Sequence, residues 1–419
     1  MEIMRFAFDN RRNSDVPKTV EFLSQKGSRM RFTQMQIGEV FCQSCTRWVI
    51  FILIVLTHAA SSTRAEDGVL AVSIRMWEGE YESKDVPGGV KTTPSTSSIY
   101  SIRADGTHFK KLVAIEKAVC AAPVFSPDGK WLYFQSNASG EYHLYRCHPD
   151  GSEREQLTSK RSPGQPWKTV FGLQMTAGGQ LLCTAYDGKQ GCVAVLSPET
   201  SQLKLVAPHL GYLYMSAMNR SGDAVIVSGP ASGYRLWLMK LPDAFRSGTE
   251  RLTGPSVNLA QQHPQSFAPQ FTPDGRTIIY FRRDGDIYRV QSDGTGHRRL
   301  TEGNRYVEFR LSPKDRHGST DGPHLSPNGQ RVAFVAIRKG VPQVCTIGID
   351  GSHLRQLTSR DTPCGRVRWS PDGKQIAFVS FIGKYPQLFV IEAAGGKPRQ
   401  LTSVEGAVYS VAWKPTNTR

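Results

Sequence analysis

A recurring phrase along most of this chain restricts the fold more than any other feature of the sequence. Each copy has a short apolar strand, a Ser/Thr-Pro-Asp/Asn-Gly turn and a second apolar strand that ends in Phe. The clear copies lie at 122–134, 268–281, 322–334 and 367–378. Weaker copies lie at 173–185 and 214–228, and a half copy at 411–417. Turns spaced by about 44 to 54 residues indicate stacked copies of one structural unit.

Each clear copy continues into a second half, which predicts a unit of four strands. An Asp-Gly turn, replaced by Ala-Gly in one copy, is followed by a closing segment such as Gln356-Leu357-Thr358 or Gln400-Leu401-Thr402. Asn-Gly and Asp-Gly supply the positive φ of tight hairpin turns. The apolar alternation around them is typical of strands packed on two faces. Because one such sheet cannot bury both faces alone, the units are expected to stack radially into an all-β propeller.

Counting the turns predicts seven four-stranded blades. The N-terminal strands at 69–76, 97–106 and 110–115 would form one blade together with the half copy at 411–417. This closure would remove the free edge of the sheet. Six blades remain an alternative if one of the two weak copies is not a blade.

The N-terminal region has a different character and predicts export. Trp48–Thr57 is an apolar run of about ten residues, shorter than the roughly 20 that span a bilayer. Arg47 precedes it and small residues follow, as in a secretory signal. The domains are therefore a leader at 1–65 and a propeller at 66–419, in a periplasmic or extracellular protein. An uncleaved N-terminal anchor is the alternative.

Six cysteines lie in the propeller region, and the sequence leaves their state open. An even number in an oxidising compartment allows three disulfides, and Cys183 and Cys192 flank an Asp-Gly turn where they could face each other. Buried free thiols are the other interpretation. Cys42 and Cys45 precede the apolar run and would be lost on cleavage.

The repeated Ser-Pro-Asp-Gly and Asp-Gly…Gln-Leu-Thr phrases resemble the WD-like propeller repeats of the TolB family of exported proteins. The resemblance covers about residues 69 to 417 and implies a protein partner in the cell envelope. The same blades are similar to those of prolyl oligopeptidase-like enzymes and oligogalacturonate lyases. The chain departs from TolB proper in its predicted seven blades rather than six. It also leaves little room between the leader and the first strand for the small α/β domain of TolB.

Motifs for chemistry are missing, so no catalytic residue, metal site or cofactor is predicted. The sequence has no GxSxG, HExxH, EF-hand or phosphate-binding glycine motif. Long connections between blades, such as 302–322, are expected to carry binding instead. The candidate ligand-binding residues lie near the central channel or in that loop and are Gln270, His324, Arg366, Arg368 and Arg310.

Two functions follow from these observations. The favoured one is a non-catalytic exported scaffold that binds a protein. Because Lys and Arg outnumber Asp and Glu in residues 66–419, an anionic polymer is a further candidate partner. The alternative is a carbohydrate-active enzyme, similar to oligogalacturonate lyases, with His324 and His263 at the channel mouth. No nucleic-acid partner is predicted, and a cleaved signal would leave no integral membrane segment.

Overall fold

The computed structural model describes residues 68–78, 95–159, 167–206, 213, 215–241, 265–304 and 322–416, and the backbone of strands at 20–23, 29–32, 83–86, 89–92 and 256–258. The chain divides into two compact units, Met1–Ala65 and Glu66–Arg419. In the first unit, β1 (Val20–Leu23) pairs with β2 (Arg29–Phe32) in an antiparallel hairpin. The sequence pattern predicted no strand in this region. The predicted signal run at 48–57 lies outside the described residues.

The second unit begins with strands that belong to its last blade. They are β3 (Val69–Trp77), β6 (Ser95–Arg103) and β7 (Lys110–Val113), and a hairpin of β4 (Ser83–Val86) and β5 (Gly89–Thr92) separates β3 from β6. The chain then forms six blades in succession, each a four-stranded antiparallel meander.

The strands of blades 1 to 6 follow in chain order. Blade 1 consists of β8 (Cys120–Phe125), β9 (Leu132–Ser136), β10 (His143–Cys147) and β11 (Glu155–Gln156). Blade 2 consists of β12 (Thr169–Met175), β13 (Leu181–Tyr186), β14 (Gly191–Ser197) and β15 (Gln202–Val206). Blade 3 consists of β16 (Met215–Met218), β17 (Ala224–Ser228), β18 (Trp237–Lys240) and β19 (Ser256–Asn258), with a 3-10 turn at Pro230–Ser232.

The last three of the four clear repeats form the next three blades. Blade 4 consists of β20 (Ser266–Phe271), β21 (Thr277–Arg282), β22 (Ile287–Gln291) and β23 (Arg298–Arg299). Blade 5 consists of β24 (His324–Leu325), β25 (Arg331–Arg338), β26 (Val341–Gly348) and β27 (Arg355–Gln356). Blade 6 consists of β28 (Cys364–Trp369), β29 (Gln375–Ile382), β30 (Tyr385–Glu392) and β31 (Arg399–Gln400).

Blade 7 closes the ring as the sequence predicted. The C-terminal β32 (Ala407–Trp413) pairs with β3, and the sheet order is β32-β3-β6-β7. Both weak copies form true blades, so the prediction of seven is confirmed and the alternative of six is wrong. The first strands of neighbouring blades contact one another, as β32 does β8 and β8 does β12, so these strands surround the centre of the ring.

The Ser-Pro-Asp-Gly phrase builds the turn between the first two strands of a blade. The Ser126 hydroxyl donates to Asp128 Oδ1 at 2.6 Å and accepts from the Trp131 backbone N–H at 2.9 Å. Gly129 takes the left-handed conformation, with φ of 69°. The Ser126 hydrogen bond lowers the pKa of Asp128, so the carboxylate is used within its own turn. The same bonds recur in blades 4, 5 and 6.

The hydrophobic core consists of apolar clusters between neighbouring blades. One cluster joins blade 7 to blade 6 through residues such as Leu70, Ile102 and Val379, and another joins blade 7 to blade 1 through residues such as Ile99 and Phe134. Among the described residues, each of the seven neighbouring pairs of blades shares one such cluster. Each sheet is therefore buried on both faces only because it has a neighbour on each side.

The six cysteines of the propeller are buried, and no disulfide joins any two of them. Cys183 lies opposite Ala194 and Cys192 opposite Ala185, so the pair expected to face across the hairpin is offset by two positions. Burial raises the pKa of the Cys345 thiol to about 11, which keeps it protonated.

Candidate functional site

The predicted ligand residues on the first strands occupy one equivalent position in successive blades. Gln270, His324 and Arg368 each lie four residues before the Asp or Asn of their turn. In blades 4 and 6 the first strand carries a bulge just before this position. At the bulge Ala268 and Arg366 have positive φ values of 44° and 56°, an unusual conformation for residues other than glycine.

Gln270 connects blade 4 to blade 5. Its side-chain Nε2 donates to the carbonyl of Pro323, and its Oε1 accepts the backbone N–H of Leu325 at 3.1 Å. Both groups of the amide are therefore bonded to the first strand of the next blade. This arrangement positions two neighbouring strands at the centre of the ring.

His324 makes the corresponding connection from blade 5 to blade 6. Its Nδ1 accepts the backbone N–H of Trp369 at 3.2 Å, and its carbonyl accepts the indole Nε1–H of Trp369 at 3.0 Å. Burial, and next the charge of Arg368, lower the pKa of His324 to about 3. A ring nitrogen that accepts a hydrogen bond must be unprotonated, so the lowered pKa and the geometry agree.

The two predicted arginines of blade 6 also contact their neighbours. The carbonyl of Arg368 accepts the indole Nε1–H of Trp413 in blade 7 at 3.1 Å. The Arg366 guanidinium lies 5.0 Å from the ring centre of Tyr409, and Arg75 lies 5.5 Å from the same ring. Such cation–π contacts stabilise by about 0.5–2 kcal/mol, depending on how far they are desolvated. These arginines therefore contribute to the contact between blades 6 and 7.

The structure thus brings Gln270, His324, Arg366 and Arg368 together as a series of links between blades. Ligand binding by them stays a prediction. Arg310 and His263, predicted on the long connections, lie outside the described residues. Within the described part of the chain, no group of three or more His, Cys, Asp or Glu side chains could hold a metal ion.

A cleft that sequence analysis missed lies between blades 5 and 6, among their short turns. Its volume is about 580 Å³, and its lining includes Arg331, His353, Leu354, Arg355, Trp369 and Ala394. His324 supports this cleft indirectly, because it holds Trp369 by two hydrogen bonds. One sequence feature could have indicated the cleft: the second turn of blade 6 has Ala394-Gly395 where blade 5 has Asp350-Gly351.

Comparisons with known proteins agree with this architecture. The family model of the TolB beta propeller domain matches residues 313–419. A protein TolB homolog of Chlorobium luteolum is 27% identical over 305 residues, which are 71% of this chain and 50% of that protein. Residues 313–419 therefore carry TolB-like propeller repeats, and the chain is similar to TolB proteins. The match covers only about half of the length of that TolB homolog.

Two further similarities concern the fold of the TolB-like chain. An uncharacterized protein of Agrobacterium fabrum is 27% identical over 276 residues, covering 65% of this chain and 68% of that protein. The solved structure of an oligogalacturonate lyase in complex with manganese has a TM-score of 0.53 and 15% identity, and the match covers 81% of this chain and 87% of the lyase. At that identity the likeness extends to the propeller fold alone.

Proposed function

We propose that this TolB-like chain is an exported, non-catalytic scaffold that binds another protein at the cell envelope. Residues 1–65 would act as the leader, with export directed by the apolar run at 48–57. Residues 66–419 would then work in the periplasm or outside the cell. Among the described residues, no helix is long and apolar enough to cross a membrane.

The links between blades carry the proposal. Two of the residues predicted near the channel, Gln270 and His324, bond neighbouring first strands through their side chains. These hydrogen bonds make the ring rigid and use the groups that catalysis would need. A rigid ring that presents many turns is suited to recognition by its surface, because the scaffold does not reorganise on binding.

The export and partner parts of the proposal can be tested together. The full chain with a C-terminal epitope tag would be expressed in its source cell, cross-linked in place and recovered from each cell fraction. We expect a shortened chain that begins near residue 66, in an exported fraction, with the same protein partner in repeated experiments. A full-length chain confined to the cytoplasm would contradict export, and recovery without a partner would contradict the scaffold role.

The enzyme alternative needs a separate assay. The purified chain would be incubated with polygalacturonate and Mn²⁺, and polymer length would be followed. We expect no depolymerisation above that of a heat-denatured sample. If depolymerisation occurs and His324→Gln abolishes it without unfolding the protein, the enzyme alternative replaces the scaffold.

A further inference from the structure

The cleft between blades 5 and 6 is formed where the repeat loses an acidic residue. In the equivalent turns of blades 1, 4, 5 and 7 an Asp precedes the glycine and bonds its own turn; these residues are Asp150, Asp293, Asp350 and Asp105. Blade 6 has Ala394-Gly395 at that place. The short Ala394 side chain leaves the space that the larger Asp side chain would fill.

Arg355 extends from the outer strand of blade 5 against this turn. A Cβ on Gly395, whose φ is 89°, would lie 2.7 Å from Arg355 Nη2. The guanidinium therefore packs directly on the glycine backbone. Arg355 is exposed, and its side chain makes no hydrogen bond or ion pair with any described residue.

In blades 6 and 7 the equivalent basic residue, Arg399 or Lys110, lowers the pKa of an Asp in the turn of the next blade. Asp105 of blade 7 has its pKa lowered first by hydrogen bonds from Thr107 and further by the charge of Arg399 in blade 6. The pKa of Asp150 in blade 1 is likewise lowered first by hydrogen bonds from Ser152 and more weakly by the charge of Lys110 in blade 7. The turn beside Arg355 lacks this Asp, and the Glu392 carboxylate that begins the turn accepts a hydrogen bond from Gln375 Nε2 at 2.7 Å.

A second guanidinium lies in the same cleft. Arg331 Nη2 donates to Thr346 Oγ1 at 2.8 Å and to the carbonyl of His353 at 3.4 Å. Its other guanidinium N–H groups make no hydrogen bond with a described residue. Arg331 has no basic counterpart in the other clear repeats, which carry Trp131, Thr277 and Gln375 at this position. Two guanidinium groups in one cleft favour a bound carboxylate.

One wall of the cleft is apolar and another is polar. The Leu354 side chain is 53% exposed, and Pro327, Ala393 and Ala394 lie around the same space. The polar wall consists of Ser326, Asn328 and Asp372. The Asp372 carboxylate is used within its own turn, where it accepts the Ser370 hydroxyl at 2.6 Å and the Lys374 backbone N–H at 3.0 Å. Trp369 is only 5% exposed and its indole N–H is used by His324, so it offers no open ring on which a sugar could stack. A volume of about 580 Å³ lies within the range of roughly 300–1,000 Å³ of ligand pockets.

We propose that this cleft binds an acidic peptide segment, with a carboxylate between Arg331 and Arg355 and an apolar side chain of the segment against Leu354. The proposal rests on the scaffold function and names the chemistry of the partner segment. An acidic sugar would satisfy the arginines and leave the apolar wall exposed to water, so the peptide is the better fit.

The first test uses defined probes on the full chain. Leucine methyl groups would be labelled with ¹³C, and the Leu354 signals would be assigned with Leu354→Ile. The probes are acetyl-Leu-Glu-Leu-Glu-amide, its Gln-for-Glu counterpart and trigalacturonate. We expect a saturable shift of the Leu354 methyls with the Glu peptide, and affinity at least tenfold lower for the Gln peptide and trigalacturonate.

Two variants locate the interaction, and a third is the matched control. Arg355→Gln removes one guanidinium. Ala394→Asp restores the acidic residue that the equivalent turns carry, and its carboxylate would form an ion pair with Arg355 in place of the ligand. Each variant should lower the affinity for the Glu peptide at least tenfold, while the far-ultraviolet circular dichroism and the thermal midpoint stay near those of the wild type. Arg298→Gln changes the equivalent arginine of blade 4, which faces the turn of Gly351, and should leave affinity unchanged.

The contrary outcomes are separate from failure of the scaffold function. No saturable shift, equal binding of the Gln peptide, or stronger binding of trigalacturonate would each overturn the acidic-peptide site. A partner that is cross-linked at the envelope equally well by wild type, Arg355→Gln and Ala394→Asp would also overturn it, while leaving the scaffold function in place.

Discussion

His324 is held as a neutral imidazole by its surroundings. Its Nδ1 accepts a hydrogen bond from the Trp369 backbone, and burial and Arg368 lower its pKa from 6.5 to about 3. Gln270 fills the same position in blade 4 and also accepts a backbone N–H through its Oε1. A side-chain acceptor is thus what this position requires, and histidine supplies it only while unprotonated.

This requirement predicts a pH dependence of stability. Below pH 6.5 the unfolded chain takes up a proton on His324 that the folded chain resists, so acidification towards the folded pKa of about 3 favours unfolding. The loss between pH 7 and pH 5 would be about 2 kcal/mol for this group. Replacing it as His324→Gln keeps the acceptor and should remove that loss, as measured by urea unfolding at both pH values.

An exposed histidine serves as the control for this experiment. His108 lies on a turn of blade 7. The His108→Gln variant should keep the wild-type difference in the free energy of unfolding between pH 7 and pH 5. If His324→Gln is as sensitive to acid as the wild type, the protonation of His324 does not limit stability.

The closing Gln-Leu-Thr element joins the outer strand of a blade to the chain that follows. In blade 6 the Thr402 hydroxyl accepts the Leu388 backbone N–H and donates to Gln387 Oε1, each at 2.9 Å. Gln387 in turn bonds the backbone of Val404 and Gly406. This short element therefore guides the chain from blade 6 into β32.

Thr402→Val tests the element without a large change of side-chain volume. It would leave a buried backbone N–H and a buried amide with one partner fewer, at a cost of about 1–3 kcal/mol in the free energy of unfolding. Urea unfolding measures this difference. Thr200→Val, at an exposed turn of blade 2, should change stability by less than about 0.5 kcal/mol. Equal effects of the two substitutions would contradict a stabilising role of the Gln-Leu-Thr element.

The whole second unit depends on closure between its two chain ends. β32 pairs with β3 from Leu70 opposite Trp413 to Arg75 opposite Ala407. Its buried residues Val408 and Val411 belong to the apolar cluster between blades 6 and 7. Without β32, the inner edge of blade 7 and this cluster would be exposed to water.

A chain that ends at Val404 should therefore lose its cooperative unfolding transition and aggregate. A synthetic peptide of residues 405–416 added in trans should restore solubility and the transition, because it supplies the missing strand. A scrambled peptide of the same composition is the control. A truncated chain that unfolds as cooperatively as the full one would show that closure does not stabilise the ring.

Much of the fold could be predicted because its rules act over short distances. Ser126, Asp128 and Gly129 make a turn from neighbouring residues alone, and every clear copy repeats this chemistry. The weak copies were harder to count, since the blade that starts at Thr169 lacks the turn Asp and relies on Thr176 to accept the Gln180 backbone N–H. The alternation of apolar residues still identified the strands of both weak copies.

The sequence by itself determined the blade, its turns and the closure by the two chain ends, because hairpins and apolar alternation depend on adjacent residues. Only the tertiary structure decided what Gln270, His324 and Arg355 do, since their partners lie in the next blade, 40 or more residues away. The same residue type can link two blades or face a cleft. That difference depends on whether the neighbouring blade supplies a hydrogen-bonding group where the side chain ends.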